Sequence, residues 1–403
     1  MGIWIFKKHC MVLLAVVVAL IAGMPSWGTI GADRAEASDT IRIGFPIPLT
    51  GSASRWGTFC LHGAMLAVKE INDGGGVLGK KLELIKMDDQ NIPAEGVSAV
   101  QRLLNIEKVD LIMGAMGSSV TKALQPIVEA AAVPMVAAAS SDPEITYRAG
   151  VGGFKYTFRN YPTDEIRALV VLQDAANKGY KKLALLAVDT DSGRNFAGFN
   201  KKYISRFPKA EFVSTDFFGQ NETDFRPILT RIKATGVEAI IFMATSGDTI
   251  QIVGRQMREL QLAGKVPFMG LGDLTHSKNL ETLSDVLEGA VEANVWTEIW
   301  DNPRSKKFVQ AYTQMWNEER PNFLAYSYWE TTHLIAQAIK EAGSVDRQAV
   351  HKALKAIKYE SIMGPVQFDD HHQANLPMVL TEVSKGKVIV TGTMYSQPDY
   401  PKQ

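Results

Sequence analysis

An α/β protein with two open, doubly wound, mostly parallel sheets is the fold class the sequence predicts. Three observations point to it. Short β-rich apolar runs alternate with longer helix-like runs in a first stretch from Thr40 to Ala138. The same alternation returns from Ile166 to Met269, and the tail from Val366 is strand-rich. Strands joined by helices of this length run parallel, with helices on both faces. Two such runs imply two sheets; an eight-fold barrel fits the count but not the tail.

The elements follow in order. Ile41 to Pro48 is expected as a strand, and Gly57 to Asn72 as a helix with Leu61, Ala64, Met65, Val68 and Ile71 on one face. Asp73-Gly74-Gly75-Gly76 stops that helix, because glycine accepts the left-handed conformation at a helix C-terminus. Leu82–Met87 is strand, Ala94–Glu107 helix, Leu111–Gly114 strand, Ser119–Ala131 helix and Pro134–Ala138 strand. In the second stretch Ile166–Lys178, Asn195–Phe207, Phe225–Ala234 and Ile250–Leu262 are helices. Leu183–Val188, Glu211–Phe217, Ala239–Met243 and Val266–Met269 are strands. Arg304–Asn317, Leu324–Ala342 and Asp346–Ile357 are helical. Val379–Val383 and Val388–Thr393 form a hairpin across Ser384-Lys385-Gly386-Lys387.

The chain has 403 residues, enough for two cores, and its 43 basic and 43 acidic side chains cancel. No basic excess exists to condense on a phosphate backbone, so nucleic acid is not an expected partner. Lys7, Lys8 and His9 precede an apolar run from Cys10 to Ala22, 13 residues where a span takes about 20. This reads as a cleaved secretory leader, residues 1–37, with Ala35-Glu36-Ala37 before Ser38 as the cut site, and places the mature protein in the periplasm. A cut near Gly28, or an uncleaved anchor, is the alternative. Cys60 is then the only cysteine of the mature chain, so no internal disulfide is expected.

In open α/β sheets ligands bind beyond the carboxyl ends of the strands. There the sequence places Leu49 to Gly57, then Ala115-Met116-Gly117-Ser118-Ser119, then Ala139-Ser140-Ser141-Asp142-Pro143. Each is rich in small hydroxyl residues or glycine and leads into a helix, whose unpaired amide N–H groups attract a carboxylate. Helix capping is the competing role for Ser118 and Ser141. Trp56 is either an apolar cover for the ligand or a core residue.

These stretches also carry a resemblance. Pro48-Leu49-Thr50-Gly51 with Trp56-Gly57, then Gly63 to Asn72 with its glycines, and Gly79-Lys80-Lys81-Leu82-Glu83-Leu84 to Asp88-Asp89 are similar to the Leu/Ile/Val-binding proteins of ABC importers. Thr223-Asp224-Phe225 and Met363-Gly364-Pro365-Val366 continue the match. The resemblance implies a two-lobed periplasmic-binding-protein fold of type I with three crossings. These fall near Phe158–Tyr161, Val295–Asn302 and Met363–Phe368. Lobe 1 is then 38–158 plus 303–362, and lobe 2 is 159–302 plus 363–403. It implies an α-carboxylate site at Ser118, the Ala139 backbone and Ser141, with Ser140 beside them and Trp56 packed on the ligand. Asp273 is the candidate partner for an amino group, with a plain loop aspartate as the alternative. Two lobe-2 loops that hold tyrosines in the family read Asp191-Ser192-Gly193 and Thr245-Ser246-Gly247, which makes Ser192 and Ser246 ligand candidates in a roomier pocket.

The implied function is capture of a small carboxylate-bearing solute, an amino acid by family habit, and its delivery by a monomer to an ABC-importer permease. No cofactor, metal or catalysis is expected. An aromatic acid, amide or urea ligand, or a sensory role, stays open. No Gly-x-Gly-x-x-Gly follows a strand and no Gly-x-Ser-x-Gly elbow occurs, which argues against an enzyme. His371-His372 lacks further ligands at metal spacing and reads as a solvated turn.

Overall fold

The computed structural model describes residues 40–400 apart from 245–246, 272, 318 and 396–397. The expected leader, Cys10 and Ser246 lie outside the described residues. The first sheet holds β1 (Thr40–Ile47), β2 (Lys81–Asp88), β3 (Leu111–Met113), β4 (Met135–Ala137) and β5 (Thr157–Arg159), all parallel, in the order β2-β1-β3-β4-β5. The second holds β6 (Lys182–Val188), β7 (Glu211–Phe218), β8 (Ala239–Met243), β9 (Phe268–Leu271) and β10 (Val291–Asn294). Its parallel part repeats the pattern, β7-β6-β8-β9-β10, so both sheets reverse direction beside their first strand. β13 (Met378–Ser384) and β14 (Lys387–Met394) add the antiparallel hairpin, closed by Ser384 opposite Lys387. β11 (Tyr359–Ser361) and β12 (Gly364–Val366) form a separate ribbon.

The strands show why the layers form. Along β6, Ala184, Leu186 and Val188 enter one core, and Leu183, Leu185 and Ala187 enter the core on the opposite face. A strand buried on both faces needs helices on both sides. In the first half these are α1 (Ser54–Asp73), α2 (Pro93–Asn105), α3 (Ser118–Ala130) and the one-turn α4 (Glu144–Tyr147). The second half supplies α5 (Asp164–Asn177), α6 (Asp191–Tyr203), α7 (Arg226–Ala234), α8 (Gly247–Glu259) and α9 (Ser277–Leu287). α10 (Pro303–Met315), α11 (Phe323–Ala342) and α12 (Arg347–Ala356) follow, and Phe308, Leu324, Ala325, Tyr328 and Leu354 join the core under β1. The chain thus passes between the lobes three times: after β5, after β10 and after β12.

Most expected elements lie within a few residues of their observed bounds. β5 lies at the expected first crossing and β10 just before the expected second. Neither was expected as a strand, since Arg159, Glu292 and Asn294 break the apolar run that marks β3, β4 and β9. α9 was not expected, although Leu280, Leu283, Val286 and Leu287 carry helical spacing; the helix is kinked at Leu283. α1 ends where the glycines begin. Gly75 and Gly76 take φ of 100° and 76°, and a Cβ on Gly76 would sit 2.0 Å from the Lys80 carbonyl oxygen. The His371-His372 expectation needs correcting. His372 is buried, stacked on Phe158 with ring centroids 4.1 Å apart, and its Nδ1 lies 3.0 Å from the Thr157 carbonyl oxygen. The third crossing packs it into lobe 1, so it is no solvated turn.

Candidate functional site

A cleft of about 200 Å³ lies between the lobes at the carboxyl ends of both sheets. From the first half it is lined by Trp56, Asn91, Met116–Ser119, Ala139, Ser141 and Tyr161; from the second by Arg167, Thr190–Ser192, Gln220, Met243 and Ala244. Phe323 and Leu324 close one side. The size suits a small solute.

Two helix N-termini face this space. α3 starts after Gly117, which has no side chain to cap it, so its first-turn N–H groups are open toward the cleft. α6 starts after Thr190, whose hydroxyl accepts from the Gly193 N–H at 3.2 Å. Ser118 is the first residue of α3 rather than its cap. Its Oγ accepts from the backbone N–H groups of Ser141 (3.1 Å) and Asp142 (3.2 Å). An oxygen that accepts twice has its own proton left to donate, and Ser118 lines the cleft.

Ser141 and Ser192 meet across the lobes at 2.9 Å. The Ser192 hydroxyl donates to Asp164 Oδ1 at 2.9 Å, so Ser141 is the donor of that pair. Arg167 Nη1 donates to Ser141 Oγ (2.9 Å) and to Asp164 Oδ1 (3.2 Å), which closes a four-membered polar ring. Burial pushes the Asp164 carboxyl up to about 6 against the pull of Arg167. Burial also raises the Tyr161 phenol to about 12, so it faces the cleft as a neutral hydroxyl. At the rim Lys122 Nζ reaches Asp142 Oδ2 (2.6 Å) in lobe 1 and Asp191 Oδ2 (3.0 Å) in lobe 2.

Of the residues expected to hold ligand, Trp56, Ser118, Ala139, Ser141 and Ser192 line this one cleft. Ser140 does not. It is fully buried behind the wall, where its hydroxyl donates to the Ala115 carbonyl oxygen at 2.7 Å and pairs with Thr121 at 2.6 Å. Asp273 lies in a smaller neighbouring cavity with Thr275, Glu292, Asn294 and Asn322. It is no solvated loop aspartate. It is 6% exposed, its Oδ2 accepts from Trp56 Nε1 at 3.2 Å, and its Oδ1 from Asn322 Nδ2 at 3.5 Å. Burial raises its pKa, opposed by His276 nearby. Trp56 is both cleft wall and core residue: 7% exposed, edge-on to Phe323 with centroids 5.8 Å apart. Ser246 lies outside the described residues. Sequence reasoning passed over Arg167, yet a signal existed. A cation in the first turn of α5 sits at the positive end of the helix dipole, a local mismatch that suggests another duty.

The family model for periplasmic binding proteins matches residues 40–387. The chain belongs to that family. It is a solute-binding protein of the ABC-transporter type, and its relatives act outside the cytoplasm as receptors. It is 28% identical to a leucine-, isoleucine-, valine-, threonine- and alanine-binding protein of Pseudomonas aeruginosa, over 84% of this chain and 88% of the relative. A solute-binding protein of an ABC transporter from Rhodopseudomonas palustris, solved with 3,4-dihydroxybenzoic acid, superposes with a TM-score of 0.81 at 26% identity. That match covers 90% of this chain and 99% of the other. The branched-chain amino acid transporter substrate-binding protein of Streptococcus pneumoniae, solved with isoleucine, gives 0.77 at 24% identity, covering 89% and 100%, and so shares the fold. Among the described residues no helix is long and apolar enough to cross a membrane, and no group of three or more potential ligands is placed to hold a metal.

Proposed function

We propose that this periplasmic binding protein, exported through a cleaved leader and acting as a monomer, captures a small organic carboxylate and presents it to an ABC permease. One observation carries the reading. The open N-terminus of α3, the undonated Ser118 proton and the Arg167 guanidinium face the same cleft. Oriented N–H and O–H donors beside a fixed cation are the recognition chemistry of a carboxylate. Ligand docks first on Ser118, Ala139 and Ser141. The body 159–302 with 363–403 then closes on 38–158 with 303–362, bringing Arg167 and Ser192 against it. Closure is driven by contacts that exist only in the closed form.

Within the carboxylates, one observation favours acids without an ammonium group, including aromatic acids. Asp273 is already engaged by Trp56 and Asn322 and does not line the cleft. Among the described lining residues the only carboxylate is Asp191, which Lys122 binds. An α-ammonium entering here meets no free anion. The 3,4-dihydroxybenzoic acid complex of the Rhodopseudomonas relative agrees with this direction.

The test is a thermal-shift panel of leucine, 4-methyl-2-oxopentanoate, benzoate, 3,4-dihydroxybenzoate, benzamide and urea. A bound acid at 100 times its dissociation constant adds about 2.7 kcal/mol of stability. Response to an acid is the expected result. Response to benzamide or urea alone would overturn the carboxylate reading, and response to leucine but not its 2-oxo analogue would overturn the preference against ammonium. Small-angle scattering at saturation should show compaction; unchanged dimensions would remove hinge closure.

A further inference from the structure

We propose that Arg159 and Gln373 are a positioning pair that sets the ligand-facing loop after β4 and drives the Ser118 hydroxyl toward the ligand. The inference rests on the carboxylate reading of the cleft.

Arg159 ends β5 and is fully buried. Its Nη1 donates to the carbonyl oxygens of Asp142 (2.6 Å) and Ser140 (3.3 Å), its Nε to Gln373 Oε1 (2.6 Å), and its Nη2 to Thr146 Oγ1. These acceptors are all neutral. Holding a cation in the interior on neutral acceptors costs several kcal/mol, of order the desolvation of one ion. A buried apolar side chain would fill the space without that cost. What the guanidinium supplies is a planar set of donors, in which Nη1 grips two carbonyls of one loop while Nε and Nη2, held by Gln373 and Thr146, fix its plane.

The gripped loop is the one whose other side meets the cleft. A trans peptide points its C=O and N–H in opposite directions. The Ser140 carbonyl is turned inward to Arg159, so the N–H of the same peptide, that of Ser141, points outward, where Ser118 Oγ accepts it. The Asp142 N–H joins it on the same oxygen. A continuous relay therefore runs from the Arg159 cation through the Ser140–Ser141 peptide to Ser118 Oγ, whose proton is left for the cleft. Each bond in such a chain polarises the next. Arg159 touches no ligand; it acts through the peptide and the serine.

Gln373 orients the fork. It lies in the third crossing, and its Nε2 donates to the Tyr161 carbonyl oxygen at 2.8 Å. Two backbone bonds flank it: Arg159 N–H to the His372 carbonyl oxygen and Ala374 N–H to the Arg159 carbonyl oxygen, both 2.9 Å. The first and third crossings are thus tied together at the residue that holds the loop.

The test has two arms on the full mature chain, with melting curves to establish folding. The first needs no ligand: hydrogen exchange at the Ser141 and Asp142 amides in Arg159→Met, Gln373→Leu and Ser118→Ala. Exchange about tenfold faster in all three, with sheet-two amides unchanged, is expected. Unchanged exchange in folded Gln373→Leu, the variant that keeps the cation, would overturn the proposal. The second arm is calorimetry with the acids of the panel above. Affinity in Gln373→Leu should fall about tenfold, the worth of one charge-linked hydrogen bond. A loosened loop with unchanged acid affinity would overturn the positioning role and leave the carboxylate reading standing. If the wild type binds none of the acids, that reading fails, while the exchange arm still judges the clamp.

Discussion

His372 is 3% exposed between Phe158 and the Thr157 carbonyl, and burial pushes its pKa from 6.5 down to about 4. His351 and Lys355 add to that push, and Asp369 opposes it. Between those pH values the unfolded chain binds a proton that the folded protein refuses. The contribution is complete above pH 6.5 and lost as pH falls to 4, a span worth up to about 3 kcal/mol. Asp164 acts oppositely: its pKa is raised from 3.8 to about 6, so its ionisation weakens the fold as pH rises through that window. Urea unfolding between pH 4 and 6.5 should therefore show His372→Phe less acid-sensitive than wild type, and equal slopes would refute the assignment. Ser118 and Arg167 are readable in another way. Ser118→Ala and Arg167→Met should each weaken binding of the panel acids by about 10- to 100-fold, by calorimetry. Ser118→Ala should keep its stability, whereas Arg167→Met should also lower the melting temperature by removing the cation beside buried Asp164. Unfolding of Ser118→Ala instead would make its two amide bonds the whole of its role.

α1 and α11 illustrate what an element needs beyond its periodicity. The face at Leu61, Ala64, Met65, Val68 and Ile71 announces a helix, but Gly63 decides how closely that helix packs. A Cβ there would stand 2.0 Å from the Ala325 carbonyl oxygen of α11. Gly63→Ala should cost about 3 kcal/mol in urea unfolding, because backbone cannot yield as a side-chain tip can. Gly198, exposed on α6 with no atom within 4 Å of its would-be Cβ, is the control. Gly198→Ala should be neutral or stabilise by about 0.5–1 kcal/mol. Equal losses at the two positions would remove the packing explanation. The same elements mark where local reading fails. The helices and long strands were legible because an apolar period survives over eight or more residues. β3, β4 and β9 are as short as β5 and β10 and were legible as apolar runs. β5 and β10 were not, because Thr157-Phe158-Arg159 and Val291-Glu292-Ala293-Asn294 break the run with polar and charged residues.

Across the whole molecule the lobes touch through Lys122–Asp191, Arg55–Asp248, Ser141–Ser192 and Trp56–Asp273. Asp191 is half-exposed and belongs to lobe 2, whereas Asp142, the other partner of Lys122, is buried in lobe 1. The two ends of this bridge predict different defects. Asp191→Asn should weaken ligand binding a few-fold and flatten its salt dependence, since a rim pair is worth about 0.2–1 kcal/mol and is screened. Lys122→Met should in addition lower the melting temperature, by leaving the buried Asp142 carboxylate without its cation, held only by the Glu144 N–H among the described residues. An undiminished salt dependence in Asp191→Asn would show that this pair takes no part in closure.

The sequence by itself determined the alternation that makes two parallel sheets, the glycine and serine loops at strand ends, and the family, because each is written in neighbouring residues. Only the tertiary structure decided which side chains share the cleft. Ser140 and Ser141 are adjacent, yet successive side chains on an extended chain face opposite ways, and one lies behind the wall while the other lines it. Trp56 and Asp273 stand 217 residues apart and meet only when the lobes are together. Arg167 and Arg159 follow and end the same crossing strand, but one reaches the cleft and the other holds the loop behind it. Those outcomes depend on strand order and on which loops of the two lobes face each other, and no local pattern carries either.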